Sequence, residues 1–288
     1  MSEKIIDLHM HSKVSDGSDT PEELIHNVKE AGIGLFALTD HDAIKGCGMV
    51  RGLLEAGDPE FITGVEFSCR DEKGKYHILG YNYNPDSESI IDIVEKGHSL
   101  RMKKVKGRLD FIASEFGFTF PEEEIDSLLK LDNPGKPHIG NLMVKYGYAK
   151  TKEEAINEYI NKLHYRSEYV RPEEAIEGIL GAGGIPVLAH PFFGSGDELI
   201  LGSEMEERLK YLMEYGIRGV EAFYSGFSPN LIREMCGLAD RYDLYVTAGS
   251  DYHGTNKLVR LADTNLDYEA GYPEGLKRFL AVVSRAEP

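Results

Sequence analysis

Histidines and carboxylates recur in this chain where short apolar runs end. The segments are Asp7-Leu8-His9-Met10-His11, Leu38-Thr39-Asp40-His41, Gly64-Val65-Glu66, Ala189-His190-Pro191 and Gly249-Ser250-Asp251-Tyr252-His253. Each run has the length of a buried strand, so each polar group falls where a strand gives way to its loop. If the strands are parallel and form a barrel, those loops share one mouth. Imidazoles and carboxylates gathered at one mouth are the donors of divalent-metal sites, and such sites do hydrolytic chemistry.

His9 and His11 are two residues apart, and on a strand residues i and i+2 share a face. Their rings can close on one ion, or they form a hydrogen-bonded structural pair. Asp40-His41 ends the run Leu35-Phe36-Ala37-Leu38-Thr39. One of the two can ligate while the other orients it; His41 is the favoured ligand, and a helix N-cap is the other role open to either. Glu66 has two oxygens and can bridge two ions, or it makes a surface ion pair. Asp251 and His253 repeat the i, i+2 spacing, and His190 is followed by Pro191, which stops its strand. Asp16, in Ser15-Asp16-Gly17-Ser18-Asp19, reads on its own as an Asx-turn. His77, in the alternating Tyr76-His77-Ile78-Leu79-Gly80-Tyr81, carries little weight alone. Glu221 resembles the other strand-end acids but lacks a paired histidine, so its weight is low too.

Outside these segments, His26, His98 and His164 lie in expected helices without partner spacing and read as surface or structural. Lys136-Pro137-His138 sets a lysine and a histidine beside a fixed backbone, a combination able to hold a phosphate. A helix-start histidine is the simpler reading of His138. Arg101, Lys104 and Arg108 fall on one helical face of the single basic run, an anion-contact candidate in an acidic chain.

Positioning the strand-end groups takes alternating strands and helices. Ile5 to Leu8, Leu35 to Leu38, Phe61 to Val65, Tyr76 to Tyr83, Ile185 to Ala189, Gly219 to Glu221 and Leu244 to Ala248 read as strands. Thr20-Pro21-Glu22-Glu23 opens a helix, with Thr as N-cap, Pro in the first turn and acids at the positive end of the dipole. Further helices are expected through Met49 to Leu54, around Glu204–Tyr215 and Asn230–Arg241, and from Pro273 onward. The rhythm is that of a parallel α/β architecture. Between residues 85 and 168 the chain turns highly charged and helical. The expected organisation is therefore a barrel formed by 1–84 and 169–288, with 85–168 as a helical insertion.

The bulk numbers fit one barrel with an insertion. The 288 residues are 41% apolar, enough for a large core. A net charge of −17 argues against a broad surface for duplex nucleic acid, but not against a small anionic substrate, because bound metals make a pocket locally positive. Cys47, Cys69 and Cys236 are an odd count without paired spacing, which suits a reducing cytosol better than a disulfide framework. No signal peptide, membrane span or obligate protein partner is expected.

In this order, these motifs resemble the PHP (polymerase and histidinol phosphatase) family: Asp7-Leu8-His9-Met10-His11-Ser12, Leu38-Thr39-Asp40-His41-Asp42, Gly64-Val65-Glu66, Ala189-His190-Pro191 and Gly249-Ser250-Asp251-Tyr252-His253-Gly254. The resemblance covers nearly the whole chain. Lys136-Pro137-His138-Ile139 is similar to an Arg-Pro-His-Ile segment in the stand-alone phosphoesterase branch, which acts on nucleoside 3′,5′-bisphosphates and short RNA. Asp16 also fits that branch, since histidinol phosphatases carry His there. The family implies a distorted seven-stranded (β/α) barrel, the PHP fold, with up to three divalent ions, Mn²⁺, Fe²⁺ or Zn²⁺. Carried over position by position, one ion takes His9, His11, Glu66 and Asp251; a second takes Glu66 as bridge, His77 and His190; a third takes Asp16, His41 and His253. Lys136 departs from the family's Arg and would meet phosphate as a point charge instead of a planar fork.

The expected activity is hydrolysis of a nucleotide phosphate ester, at a nucleoside 3′,5′-bisphosphate or the 5′ end of short RNA, by a metal-bound hydroxide. Asp251, His190 and His253 are the catalytic candidates, with His190 or His253 protonating the leaving group. Lys136, His138, Arg101 and Lys104 are the substrate-binding candidates, on an insertion that caps the substrate. Two rivals stand beside this reading. One is a histidinol-phosphate phosphatase; the other is a metal-stabilised PHP binding module without turnover.

Overall fold

The computed structural model describes residues 4–163, 168–194 and 198–284; His164 lies outside them. In chain order the elements are β1 Ile6–Asp7, α1 Pro21–Glu30, β2 Leu35–Leu38, α2 Lys45–Leu53, β3 Glu60–Arg70, β4 Lys75–Tyr81, α3 Glu88–Phe116, α4 Glu122–Leu129, α5 Lys136–Lys145, α6 Lys152–Glu154, α7 Pro172–Gly181, β5 Ile185–Leu188, α8 Gly202–Glu214, β6 Gly219–Tyr224, α9 Pro229–Arg241, β7 Tyr245–Gly249 and α10 Glu274–Val283. A π turn and a 3₁₀ turn cover 155–162.

The seven strands of the described residues form one sheet in sequence order, β1 to β7. It curls back on itself: the Leu8 amide donates to the Ala248 carbonyl at 2.9 Å, joining the first strand to the last. Every residue of β2 and β5 is buried, which is why both read as unbroken apolar runs. Helix α1 starts as its sequence demands. Thr20 accepts from the Glu23 amide, Glu23 answers the Thr20 amide, and Leu24, Ile25 and Val28 face inward.

One strand departs from the parallel expectation. β4 is antiparallel to both β3 and β5. β3 runs on past the barrel to Arg70, turns through Asp71–Gly74, and returns as β4. Its polar end therefore lies at the same mouth as the ends of the parallel strands. His77 reaches that mouth from the start of its strand, paired opposite Ser68.

The helical stretch after β4 has a core of its own. The first half of α3 packs on the barrel through Ile90, Ile93 and Leu100. The second half (Val105, Leu109, Ile112) gathers Leu128, Ile139, Met143 and Ile160 into a separate apolar cluster. Polar clasps tie this unit to the barrel beside the mouth. Asn133 donates to the His41 carbonyl, Arg101 pairs with Asp42, and Lys45 with Asp132.

Candidate metal centre

Glu66 is the hub of the site. It is buried at the mouth end of β3, and its two oxygens face different rings. Oε2 lies 3.3 Å from His9 Nε2, 3.2 Å from His11 Nε2 and 3.0 Å from His41 Nδ1. Oε1 lies 2.8 Å from His77 Nδ1 and 3.2 Å from His190 Nε2. Asp251 Oδ1 completes the first set, 3.6 Å from His9 Nε2 and 3.3 Å from His11 Nε2. Asp16, on the loop after β1, lies 3.2 Å from His253 Nε2 and 4.0 Å from His41 Nε2. All nine residues singled out from the sequence as metal ligands thus meet at one mouth. His41 stands between two sets, nearer to Glu66 than to Asp16.

Several of these atoms are orphaned. His9 Nε2, His11 Nε2, His41 Nδ1, Asp16 Oδ1 and Glu66 Oε2 are buried and make no hydrogen bond. Leaving that many lone pairs and charges unmatched costs kilocalories each. Cations at their focus would satisfy them together, and the mixed nitrogen and oxygen donors suit divalent ions. Among the described residues, three groupings have ligand atoms close enough for an ion: His9, His11 and Asp251; His41, Glu66 and His77; His11, Asp16, His41 and His253.

The electrostatics fit the same occupant. Burial alone would raise Glu66 and Asp251, but the imidazoles around them outweigh it and hold both carboxyls well below their ordinary range. Burial pushes His41 down to about 3, so its ring is neutral, with one nitrogen lone pair free to ligate. His9 goes the other way: burial opposes its charge, yet Glu221, Glu66 and Asp251 hold it well above the ordinary value. The carboxylates thus demand positive charge at the point where the rings converge.

A set of buried acceptors aims these ligands. Glu221, midway along β6 beside a register shift, accepts from His9 Nδ1 at 2.8 Å and from the His190 backbone amide at 2.8 Å. A carboxylate accepts, so His9 donates Nδ1–H to Glu221, and a cation at the centre would take the place of the Nε2 proton. His253 donates Nδ1 to the Asp251 carbonyl at 2.8 Å, freeing Nε2. Gly249 lets His9 and Glu221 meet, since a Cβ there would sit 2.2 Å from His9 Cβ. Asp40 does not point inward. It takes the Ser12 amide and hydroxyl and the Ser15 hydroxyl, pinning the loop that carries Asp16.

Backbone strain concentrates here too. Asp42 (φ 50°), His190 (φ 28°) and Asp251 (φ 61°) occupy the left-handed region. Each amide is tied to another site residue: Asp42 to the Glu66 carbonyl, His190 to Glu221, Asp251 to the His9 carbonyl. Strain of this kind costs about 1–3 kcal/mol per residue and persists where the surroundings over-determine it.

Sequence reasoning undervalued Glu221, whose signal was its place at an expected strand end like the other acids. It missed Tyr224 and Lys257, which donate to Asp251 Oδ2 at 2.9 and 2.7 Å. It missed Asn133 as well. Tyr224 and Asn133 find their partners 27 and 92 residues away, and Lys257, six residues from Asp251, sits in no pattern that marks it.

The basic residues lie to one side. Arg101 and Lys104 line a cavity of about 190 Å³ with His77, Ser68 and Lys75. Lys104 sits 3.2 Å over the Tyr169 ring, and burial together with the nearby Arg101 lowers it to about 7. Lys136 and His138 part company: Lys136 bonds Asn161 in a neighbouring cavity, while His138 Nδ1 accepts from the Gly135 amide. The helix-start reading holds for that nitrogen. Burial lowers the His138 ring below its ordinary value, with Asp16 opposing the shift and Arg101 adding to it. His26 and His98 are at the surface, beside Glu30 and the Asp132 carbonyl.

A seven-stranded barrel with a histidine–carboxylate cage at its mouth defines a class of metal-dependent hydrolases. The PHP domain profile matches residues 7–170. A 3′,5′-nucleoside bisphosphate phosphatase of Chromobacterium violaceum is 30% identical over 86% of this chain and 87% of its own. A 5′-3′ exoribonuclease of Haemophilus influenzae is 27% identical over 87% and 90%. A phosphoribosyl 1,2-cyclic phosphate 1,2-diphosphodiesterase of Eggerthella lenta is 30% identical over 87% and 94%. A solved candidate metal-dependent phosphoesterase of Bifidobacterium adolescentis superposes with a TM-score of 0.80, at 25% identity over 96% of this chain and 95% of that one. The chain belongs to the PHP domain family and is a phosphoesterase of it. No helix among the described residues is long and apolar enough to cross a membrane.

Proposed function

We propose that the protein hydrolyses a phosphate ester of a nucleotide, either a nucleoside 3′,5′-bisphosphate or the 5′ end of a short RNA, with three divalent ions. The observation that carries this reading is the convergence of orphaned buried donor atoms on one mouth, beside a cationic cleft. His9, His11, Glu66 and Asp251 would hold one ion; Glu66, His77 and His190 a second; Asp16, His253 and His41 a third. The split of Glu66, one oxygen towards each ring set, supports its bridging role. Bound ions would polarise a phosphoryl oxygen, lower the pKa of a water and stabilise the leaving oxygen.

The chain's own groups do the rest. Glu221 fixes the His9 ring and the His190 backbone. Tyr224 and Lys257 occupy Asp251 Oδ2, turning Oδ1 inward. Arg101 and Lys104 hold a non-bridging phosphate oxygen, with Lys136 further out and His138 as a further substrate contact from the start of α5. Of the two expected proton donors, His253 would spend Nε2 on an ion and Nδ1–H on the Asp251 carbonyl, so protonation of the leaving oxygen falls to His190. His190 is the more accessible, its side chain 15% exposed against 3%. Residues 85–168 cap the substrate, since α3 supplies one wall of the cleft. The free cysteines suit a cytoplasmic setting.

The test is product analysis with Mn²⁺, Fe²⁺ or Zn²⁺ across nucleoside 3′,5′-bisphosphates, short 5′-phosphorylated RNAs and histidinol phosphate: monoesters are scored by phosphate release and diesters by the cleaved or ring-opened product, since their hydrolysis frees no phosphate. A ribose cyclic phosphodiester belongs in the panel because of the Eggerthella relative. Bound metal without turnover of any phosphoester would sink the reading. Preference for histidinol phosphate would replace it.

A further inference from the structure

The cleft beside His77 continues outward. Its inner cavity is lined by Ser68, Lys75, His77, Arg101, Lys104 and Arg108. A second cavity of about 170 Å³ abuts it across Lys104, Arg108 and Tyr169, and ends on Arg70, Lys136 and Asn161. The walls come from separate elements: the overhanging end of the β3–β4 hairpin, one face of α3, the start of α5, and the strand-edge segment at Tyr169. That segment is held to the hairpin by the Arg70 amide donating to the Val170 carbonyl at 3.0 Å.

The charge there runs against the rest of the molecule. In a chain of net charge −17, six basic side chains line these two cavities, Arg70, Lys75, Arg101, Lys104, Arg108 and Lys136, with Lys104 partly charged near neutral pH until an anion binds. Elsewhere Lys4, Lys13, Lys29, Lys45, Lys96 and Lys145 each pair with a carboxylate. In the cleft only Arg101 does, with Asp42, among the described residues. Crowding like charges without counterions is unfavourable unless a ligand supplies the anions. Each cavity is smaller than the about 300–1,000 Å³ of a pocket enclosing a whole drug-sized ligand. Each suits one phosphate group, and the pair suits consecutive phosphates of one chain.

Resting on the phosphoesterase reading above, we infer that this cleft is a two-position track for a single-stranded nucleic-acid backbone. The reacting phosphate lies at the metal centre, the next phosphate at the inner position, and a further one at the outer position of Arg70, Lys136 and Asn161. A nucleoside bisphosphate fills only the inner position. The outer position therefore makes a short oligonucleotide the better substrate.

The experiment compares adenosine 3′,5′-bisphosphate with the 5′-phosphorylated trinucleotide pApApA, using Mn²⁺-loaded enzyme. Arg70→Ala combined with Lys136→Met should raise KM about tenfold more for pApApA than for the bisphosphate. Lys75→Met, at the inner position, should raise KM for both alike. In the wild type, log(kcat/KM) should fall more steeply with log salt for pApApA, by about 0.7 for the extra phosphate contact. Equal KM shifts for both substrates in the double variant, or equal salt slopes, would overturn the track. Failure of the phosphoesterase reading looks different: the bisphosphate releases no phosphate, and pApApA yields neither phosphate nor shorter nucleotides. Fluorescence anisotropy of 3′-labelled pApApA then decides, and equal affinity of wild type and double variant would overturn the inference.

Discussion

The barrel mouth and the cationic cleft adjoin at His77 but are built on opposite plans. At the mouth nearly every group is short, buried and aimed by a second residue: His9 by Glu221, His253 by the Asp251 carbonyl, Asp251 by Tyr224 and Lys257. The cleft is lined by long, flexible cations carried on separate elements, with few fixed partners. Chemistry needs donors placed within fractions of an ångström, which strand ends deliver. Binding a backbone charge needs field more than geometry, and lysines and arginines supply it at range. The mouth should therefore fail abruptly when altered, and the cleft by degrees.

The sharpest way to break that contrast is to remove a ligand. Asp251→Ala or His9→Ala should lower kcat about 10³-fold or more, since metal stabilisation of the transition state amounts to several kcal/mol. Circular dichroism in chelator should stay near wild type, while His9→Ala, which leaves the buried Glu221 without its 2.8 Å partner, should lower the unfolding midpoint. Substantial activity in either variant would unseat the metal centre. Chelation of the wild type should match the variants in rate, and adding Mn²⁺ back should restore turnover and raise Tm, as a ligand specific for the folded state must.

The next step is one shell out. Glu221→Gln keeps the shape but replaces a charged acceptor by an amide, so the His9 ring and the His190 amide lose their common anchor. Metal affinity or activity should drop about 10–100-fold. Measured metal content at limiting Mn²⁺ separates this from loss of folding. An effect as small as that of a cleft residue would mean that the mouth is less tightly specified than its hydrogen bonds imply.

The same contrast explains what was legible in the sequence. Ligands on parallel strand ends announce themselves, because an apolar run followed by His or Asp is a local pattern; His9, His11, Glu66, Asp251 and His253 were readable for that reason. His77 was weak because alternation looks the same in either strand direction, and only the hairpin return of β4 brings its start to the mouth. Glu221 was visible in position but not in role, since its partners lie 212 and 31 residues away. In the cleft, Arg101, Lys104 and Arg108 could be placed on one helical face. That Arg70 and Lys75 of a distant hairpin oppose them depends on packing across about thirty residues of sequence, which no local pattern encodes. Lys136 and His138 looked like a pair, yet a helix start sends neighbouring side chains in different directions.

Within the cleft the expected losses are graded. Arg101→Met should raise KM about tenfold with a smaller change in kcat, because a phosphate contact present before and during the reaction acts as uniform binding. Its partner Asp42 loses a salt bridge in the same variant, so part of the effect is structural. Arg101→Lys separates the two: it keeps the charge but loses the planar fork, and should recover only part of the KM. A kcat collapse with unchanged KM would move Arg101 from the cleft to the mouth.

The smallest effects belong where the two plans overlap, at Asp251 Oδ2. It accepts from Tyr224, a half-buried phenol, and from Lys257, whose side chain is 42% exposed. Hydrogen bonds to charged groups contribute about 1.5–3 kcal/mol, whereas exposed ion pairs contribute about 0–1. Tyr224→Phe should therefore weaken Mn²⁺ binding about tenfold, and Lys257→Met less than about fivefold. Either single change leaves the other donor in place, so Oδ1 still points inward and kcat at saturating metal should stay near wild type. The double variant loses both donors and should weaken Mn²⁺ binding by more than the product of the single effects. Strict additivity would mean that the two contacts do not act together to orient Asp251. In that case the inward turn of Oδ1 is set by the strained backbone at Asp251 and the His9 carbonyl alone.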